Sequence, residues 1–295
     1  MSMTTDYEAL GKAVYETVAA ASTRMPTDIA AALEAAFQRE EGPSSRAALG
    51  FIVENNVLAR EQRTPICQDT GYPTFYIALP TGWDRQQVIN TIRAQLPTAT
   101  REALLRPNSV DIVTGRNAGD NSGTLYPALY FDEADGDVLE IKLLLKGGGS
   151  ENVSTQFKLP MASIGAGRDL NGVRKAVLQA VLEAQGFGCA PGILGVAIGA
   201  DRAQGYALAK KQLLRSLADH SPTPELAELE SRLLAEANEM GIGAMGFGGT
   251  TTVLGVKVAA AHRHPASFFV TIAYGCWALR RKTLRFGPDG YEITD

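Results

Sequence analysis

Hydrophobic and polar positions divide the chain into a helical opening and a mixed remainder. Tyr7, Leu10, Val14 and Val18 fall at i, i+3, i+7 and i+11, one face of a helix. Thr27-Asp28 after Pro26 opens a second, alanine-rich helix, and Ser44 or Ser45 starts a third that runs towards Glu61. A strand over 74–79 and a helix over 84–95 follow. Two strand-like runs, 126–131 and 138–145, are joined by the turn-prone residues 132–137. Val173, Val177 and Val181 mark a helix that leads to Cys189. The apolar run 192–200 reads as a strand; helices over 203–217 and 225–240 and strands over 251–259 and 268–274 come after it. No internal repeat or low-complexity linker interrupts this order. It predicts a mixed α/β fold, in which a helical N-terminal region precedes mixed sheets flanked by helices, without regular βαβ alternation. A single domain over 1–295 is expected.

Composition narrows the class. The 295 residues are 45% hydrophobic and 20% charged, enough for a sizeable core. A net charge of −4 argues against a nucleic-acid footprint, which would be basic. The stretch 192–200 is far shorter than the ~20 apolar residues of a membrane helix. Acidic Asp6 and Glu8, with no arginine before Arg24, read as neither a secretory signal nor a transit peptide. Unpaired cysteines fit a reducing compartment, so a cytoplasmic location is expected, with no nucleic-acid or membrane partner.

Three cysteines carry the candidate chemistry: Cys67 before Gln68-Asp69-Thr70-Gly71, Cys189 inside Gly188-Cys189-Ala190-Pro191-Gly192, and Cys276 between Gly275 and Trp277. The count is odd and no Cys-x-x-Cys pair exists. Three thiolates are one short of the usual electron-transfer iron–sulfur site, and a cubane held by three keeps an iron open as a Lewis acid. The count alone favours three unrelated buried thiols, and it is the sequences around the cysteines that turn the reading towards a cluster. A Cys–His hydrolase is a third reading, with Cys67 or Cys189 as nucleophile. Asp69 beside a metal thiolate makes sense where a proton moves next to the metal, although Asp-Thr-Gly is also an ordinary turn. Lys146-Gly147-Gly148-Gly149-Ser150-Glu151-Asn152 offers backbone N–H groups to an anion or cluster, or else is a flexible connection. Gly241-x-Gly243-x-x-Gly246 matches a dinucleotide string but follows a helix and precedes a strand, the reverse of the required context. His264 is a candidate acid catalyst, and Arg106 a candidate bidentate partner for a carboxylate. The run Arg280, Arg281, Lys282 and Arg285 reads as a solvated face or subunit contact.

Taken together, Cys-Gln-Asp-Thr-Gly at 67–71, Lys-Gly-Gly-Gly-Ser-Glu-Asn at 146–152, Gly-Cys-x-Pro-Gly at 188–192 and Arg-His-Pro…Gly-Cys-Trp at 263–277 resemble the class I fumarase and tartrate dehydratase family. The likeness is to its α subunit, or to the N-terminal half of the one-chain enzymes. The resemblance implies a [4Fe–4S] cluster ligated by Cys67, Cys189 and Cys276, with the open iron binding substrate. It implies reversible hydration of a four-carbon dicarboxylate. By the same likeness Asp69 and His264 form a proton relay, while Gln68, Asp69, Arg106 and Gly148 contact substrate. The segment after the glycines is fumarase-like, whereas Ser-Thr-Arg-Met-Pro at 22–26 and Gly-Cys-Trp-Ala at 275–278 are similar to tartrate dehydratase α subunits. The expectation is fumarate to (S)-malate, with L(+)-tartrate dehydration as the alternative and a non-enzymatic iron–sulfur sensor behind both. A β-type subunit completing the active site, and an α homodimer within a heterotetramer, are also implied.

Overall fold

A computed structural model describes residues 6–295. In chain order the elements are α1 (Tyr7–Thr23), α2 (Thr27–Arg39), α3 (Pro43–Gln62), β1 (Tyr72–Pro80), α4 (Arg85–Arg101), β2 (Ala128–Ala134), β3 (Leu139–Lys146), α5 (Gly148–Asn152), β4 (Thr155–Lys158), α6 (Leu170–Ala184), β5 (Gly192–Ile198), α7 (Arg202–Gln212), α8 (Pro224–Glu239), β6 (Val253–Ala260), β7 (Phe269–Gly275), β8 (Arg280–Gly287) and β9 (Gly290–Thr294). The mixed α/β class and the helical N-terminal region are as the pattern predicts. The chain forms two compact units: one takes the chain through Thr27, 55–147 and 278–295, the other 28–54 and 148–277.

The first unit is built on a five-stranded sheet in the order β2-β1-β3-β8-β9. Only β1 and β2 run parallel. Leu10, Val14 and Val18 of α1 are fully buried, as their spacing requires, and pack with Val88, Ile92 and Leu96 of α4 against Phe75, Ile141, Leu143 and Leu284 of the sheet. Each such side chain contributes roughly 1.5–3 kcal/mol of burial. Asp6 and Asp84 cap the two helices through their carboxylates. Helix α4 runs through Pro97 to Arg101, beyond the expected stop. Buried Leu96 and Ala99 hold that last stretch, so tertiary packing offsets the lost hydrogen bond. The strands β2 and β3 flank β1 rather than pairing with each other. The basic run is also not a solvated face. It forms β8, where Arg280, Arg281 and Lys282 are buried and Arg285 is exposed.

The second unit holds a four-stranded sheet, β4-β7-β5-β6. Strand β5 is buried at every position, which explains its unbroken apolar sequence. It pairs parallel with β6 and antiparallel with β7. Val173, Val177 and Val181 of α6 and Leu226, Leu229 and Leu233 of α8 form one core with Leu194, Val196, Val256 and Ile272.

Candidate active site

In the first unit, the approach to Cys67 is pinned by two hydrogen bonds: Ile66 N–H donates to the Ser22 carbonyl at 2.9 Å, and Asn55 Nδ2 donates to the Ile66 carbonyl at 2.7 Å. Cys67 is half-buried, and Gln68 and Asp69 are exposed. The Asp69 Oδ1 accepts from Gly71 N–H at 2.9 Å, so the Asp-Thr-Gly turn forms. Gly71 has φ +83°, and a Cβ there would come within 2.8 Å of the Leu145 and Lys146 backbone. Glycine therefore lets the turn rest directly on β3. The other carboxylate oxygen faces Gly147, where an added Cβ would be 2.9 Å from Oδ2. Burial pushes the Tyr126 phenol up, with Tyr72 and Asp69 acting in the same sense, which keeps a protonated hydroxyl near Asp69.

Arg106 joins this turn through its backbone. Fully buried Thr70 accepts at Oγ1 from Arg106 N–H at 2.9 Å and from Asn108 Nδ2 at 3.2 Å. Asn121 closes the knot, donating to the Arg106 carbonyl at 2.8 Å and accepting from Asn108 N–H at 3.0 Å. The Arg106 side chain remains exposed. Thr70, Asn108 and Asn121 escape sequence reasoning because they are short polar residues that look like loop.

In the second unit, α6 delivers the chain to a turn in which Cys189 adopts φ +56°. A left-handed cysteine is uncommon and is held here from several sides. Its N–H donates to Gly186 O at 3.0 Å, its carbonyl accepts from Trp277 N–H at 3.1 Å, and the next carbonyl, of Ala190, accepts from Met245 N–H at 2.9 Å. The Trp277 bond and the Ile193–Gly275 register bring Cys189 and Cys276 to one end of the sheet. Helix α5 lies at the same end: Tyr274 N–H donates to Ser154 Oγ at 3.0 Å, and that hydroxyl donates to Ser150 O at 2.9 Å. Gly148 begins this helix.

The glycine-rich stretch 241–249 buttresses the Cys189 turn from behind. Its end at Gly249 lies against the buried carboxylate of Glu40, which accepts from Gly42, Thr250 and Thr251 N–H and from the Thr250 hydroxyl. Burial pushes the Glu40 carboxyl up, but these bonds outweigh it and hold it below the usual range. Gly243 and Gly249 allow close packing there.

His264 is elsewhere. It lies on the loop between β6 and β7, at the end of the sheet opposite Cys276, roughly 20 Å away at ~3.3 Å per residue of β7. Its Nδ1 accepts from Ala266 N–H at 3.1 Å, leaving the exposed imidazole to donate from Nε2. This unit does not bring His264 to Cys189 and Cys276.

Fit to an iron–sulfur group rests on the donor set. None of the three cysteines is in a disulfide, and thiols are soft ligands that suit such clusters. The Tyr274 hydroxyl beside Cys189 and Cys276 is buried without a hydrogen-bond partner. Among the described residues no three His, Cys, Asp or Glu side chains stand grouped at metal-ligand geometry.

A model of the fumarate hydratase (Fumerase) family matches residues 11–285. The chain belongs to that family. A relative from Geobacillus stearothermophilus, named "Putative fumarate hydratase class I", is 48% identical over 290 residues, which cover 97% of this chain and 56% of that protein. The chain thus spans little more than half the length of this fumarate hydratase relative. The "Putative L(+)-tartrate dehydratase subunit alpha" of Methanocaldococcus jannaschii is 37% identical over 281 residues, 94% of this chain and 97% of the relative. The L(+)-tartrate dehydratase subunit alpha of Escherichia coli strain K12 is 33% identical over 270 residues, covering 91% and 88%. Four family-like segments, from Cys67 to Cys276, fall inside the matched region.

Proposed function

We propose that this chain is the α-type component of an iron–sulfur hydro-lyase that interconverts fumarate and (S)-malate. The observation that carries the reading is the convergence of Cys189, Cys276 and the Gly148 helix at one end of one sheet, in a chain 48% identical to a fumarate hydratase relative. In this reading Cys67, Cys189 and Cys276 hold a [4Fe–4S] cluster. When bound, the cluster supplies an open iron that acts as a Lewis acid towards the substrate's hydroxyl and carboxylate. The chain's own residues do the rest. Asp69 keeps Oδ1 on Gly71 N–H and uses Oδ2 to take or return a proton. Gln68 and the Gly148 backbone orient the substrate, and Arg106 neutralises a carboxylate whose charge grows as the neighbouring proton leaves.

His264 enters this reading through a second copy of the chain, because its own sheet holds it far from Cys189 and Cys276. Co-assembled chains carrying Asp69→Asn and His264→Asn should then recover activity that neither shows alone. Recovery absent over a range of mixing ratios removes His264 from the mechanism.

A β-type partner supplies what a single arginine cannot. Two relatives are named as α subunits, and this chain covers 97% and 88% of them. Phe187, Met245 and Phe247 stand exposed around the Cys189 turn, an apolar rim that a second chain would cover. In the same reading an α dimer becomes α₂β₂ in the reducing cytoplasm. Among the described residues no helix is long and apolar enough to cross a membrane.

Tartrate dehydration is the second reading, favoured by the near-complete coverage of the tartrate dehydratase α subunits. Anaerobic reconstitution with iron and sulfide, with and without a separately expressed β-type chain, tests both. Malate formation only in the two-chain mixture is expected. A specificity constant for L-tartrate tenfold above that for malate reverses the substrate assignment, and full turnover by this chain alone refutes the two-chain assembly.

A further inference from the structure

The ring of Tyr274 is seated on the turn that carries Cys189. A Cβ at Gly188 would come within 2.5 Å of its Cε1, and one at Gly192 within 2.4 Å of Cζ and 2.5 Å of Oη. The two glycines that bracket Cys189 thus leave space for this ring, which fills it at 2% exposure. Strand β7 fixes the residue from the other side: Leu194 of β5 is its register partner, and its N–H is held by Ser154. Two residues later the chain reaches Cys276, whose neighbour Trp277 bonds back to Cys189. One aromatic side chain therefore braces both cysteine-bearing segments.

Its hydroxyl is the anomaly. Oη is buried and has no hydrogen-bond partner, although a buried tyrosine hydroxyl normally finds one and an unmet donor is costly. It lies against the turn that carries Cys189, on the strand that reaches Cys276 two residues later. A buried hydroxyl donor seated between the two cysteine-bearing segments lacks only an acceptor.

We propose that Tyr274 donates its hydroxyl hydrogen to a sulfur of the iron–sulfur centre held by Cys189 and Cys276, and thereby raises the centre's reduction potential and strengthens its retention. The inference rests on the cluster reading above. A hydrogen bond to sulfur offsets negative charge, and the reduced centre carries more of it, so the donor favours reduction. Tyr274 acts here as a positioning residue, bracing the ligand segments and tuning the centre without touching substrate.

Tyr274→Phe keeps the ring between Gly188 and Gly192 and deletes only the donor. Two opposed changes are expected. In cluster-free protein the variant should melt no lower than wild type, because an unmet buried hydroxyl has been removed. In anaerobically loaded protein its reduction potential should be more negative, and the rise in melting temperature on loading should be smaller. Proton hyperfine spectra of the reduced wild-type centre should show one exchangeable proton that the variant lacks, a measurement independent of turnover. An unchanged potential with unchanged spectra overturns this inference alone. So does a variant that is destabilised before loading, since the hydroxyl would then already have a partner. Wild-type protein that takes up no iron and sulfide overturns the cluster reading and this inference with it.

Discussion

In the proposed mechanism Asp69 holds two duties on two oxygens, and substitution separates them. Asparagine at 69 keeps an oxygen for Gly71 N–H, so the turn survives while the proton-carrying group is lost. Turnover should fall by roughly 10²-fold or more with iron content unchanged; unchanged turnover would remove Asp69 from the chemistry, and lost iron would reassign it to structure. Thr70 is the complementary case, a buried residue that touches no substrate in the proposed mechanism. Thr70→Val deletes the acceptor shared by Arg106 N–H and Asn108, at a cost of about 1–3 kcal/mol. Urea unfolding should register that loss, and KM should rise more than kcat falls as Arg106 shifts. Thr70→Ser should restore both, and failure of that rescue would point to packing of the threonine methyl instead. The contrast marks what a sequence reveals about a site. Cys67, Asp69 and Arg106 stand out by chemistry and motif. Thr70, Asn121, Glu40 and Tyr274 matter because of partners up to 211 residues away in the chain, and no local spacing encodes such pairings.

Among the elements, those with one dominant periodicity were legible: the α1 face at Leu10, Val14 and Val18, and the unbroken apolar β5. Strand β8 was hidden because its buried positions include Arg280, Arg281 and Lys282, residue types that local pattern assigns to solvent. Four-residue β4 is too short to carry a pattern. The partner order of β1, β2 and β3 depends on long-range pairing that a turn between two strands does not specify. The stretch 241–249 was legible only as glycines; its end at Gly249 lies against the Glu40 carboxylate, which fixes the Thr250-Thr251 backbone that follows. That dependence has a pH signature. A carboxyl whose pKa is depressed by folding contributes stability above its unfolded value, about 4.3 for glutamate, and the contribution is lost as pH falls through the folded value. Melting temperature should therefore drop more steeply on acidification below about pH 4.3 in wild type than in Glu40→Gln. Parallel curves would show that Glu40 contributes no linkage. Since the stretch buttresses Cys189, Glu40→Gln should also lose iron faster under chelator.

For the molecule as a whole, the apolar rim of Phe187, Met245 and Phe247 supplies the check on assembly. Phe187→Ser with Phe247→Ser should leave the melting temperature of the isolated α chain within a few degrees, yet weaken association with a β-type chain by tenfold or more in a titration. Unaltered association would move the interface elsewhere. The order in which the chain is made matters as well. The first unit draws on three separate stretches, and β8 lies between β3 and β9 in its sheet. While a ribosome is still translating residue 277, β3 has its β1 neighbour but its other edge is bare, a row of N–H and C=O groups open to any passing strand. The sheet can close only after 280–294 emerge, long after β1 and β3. Late closure of so non-local a pairing is slow and exposes the chain to aggregation. Nascent chains stalled near 277 should consequently recruit chaperones that chains released at full length no longer hold.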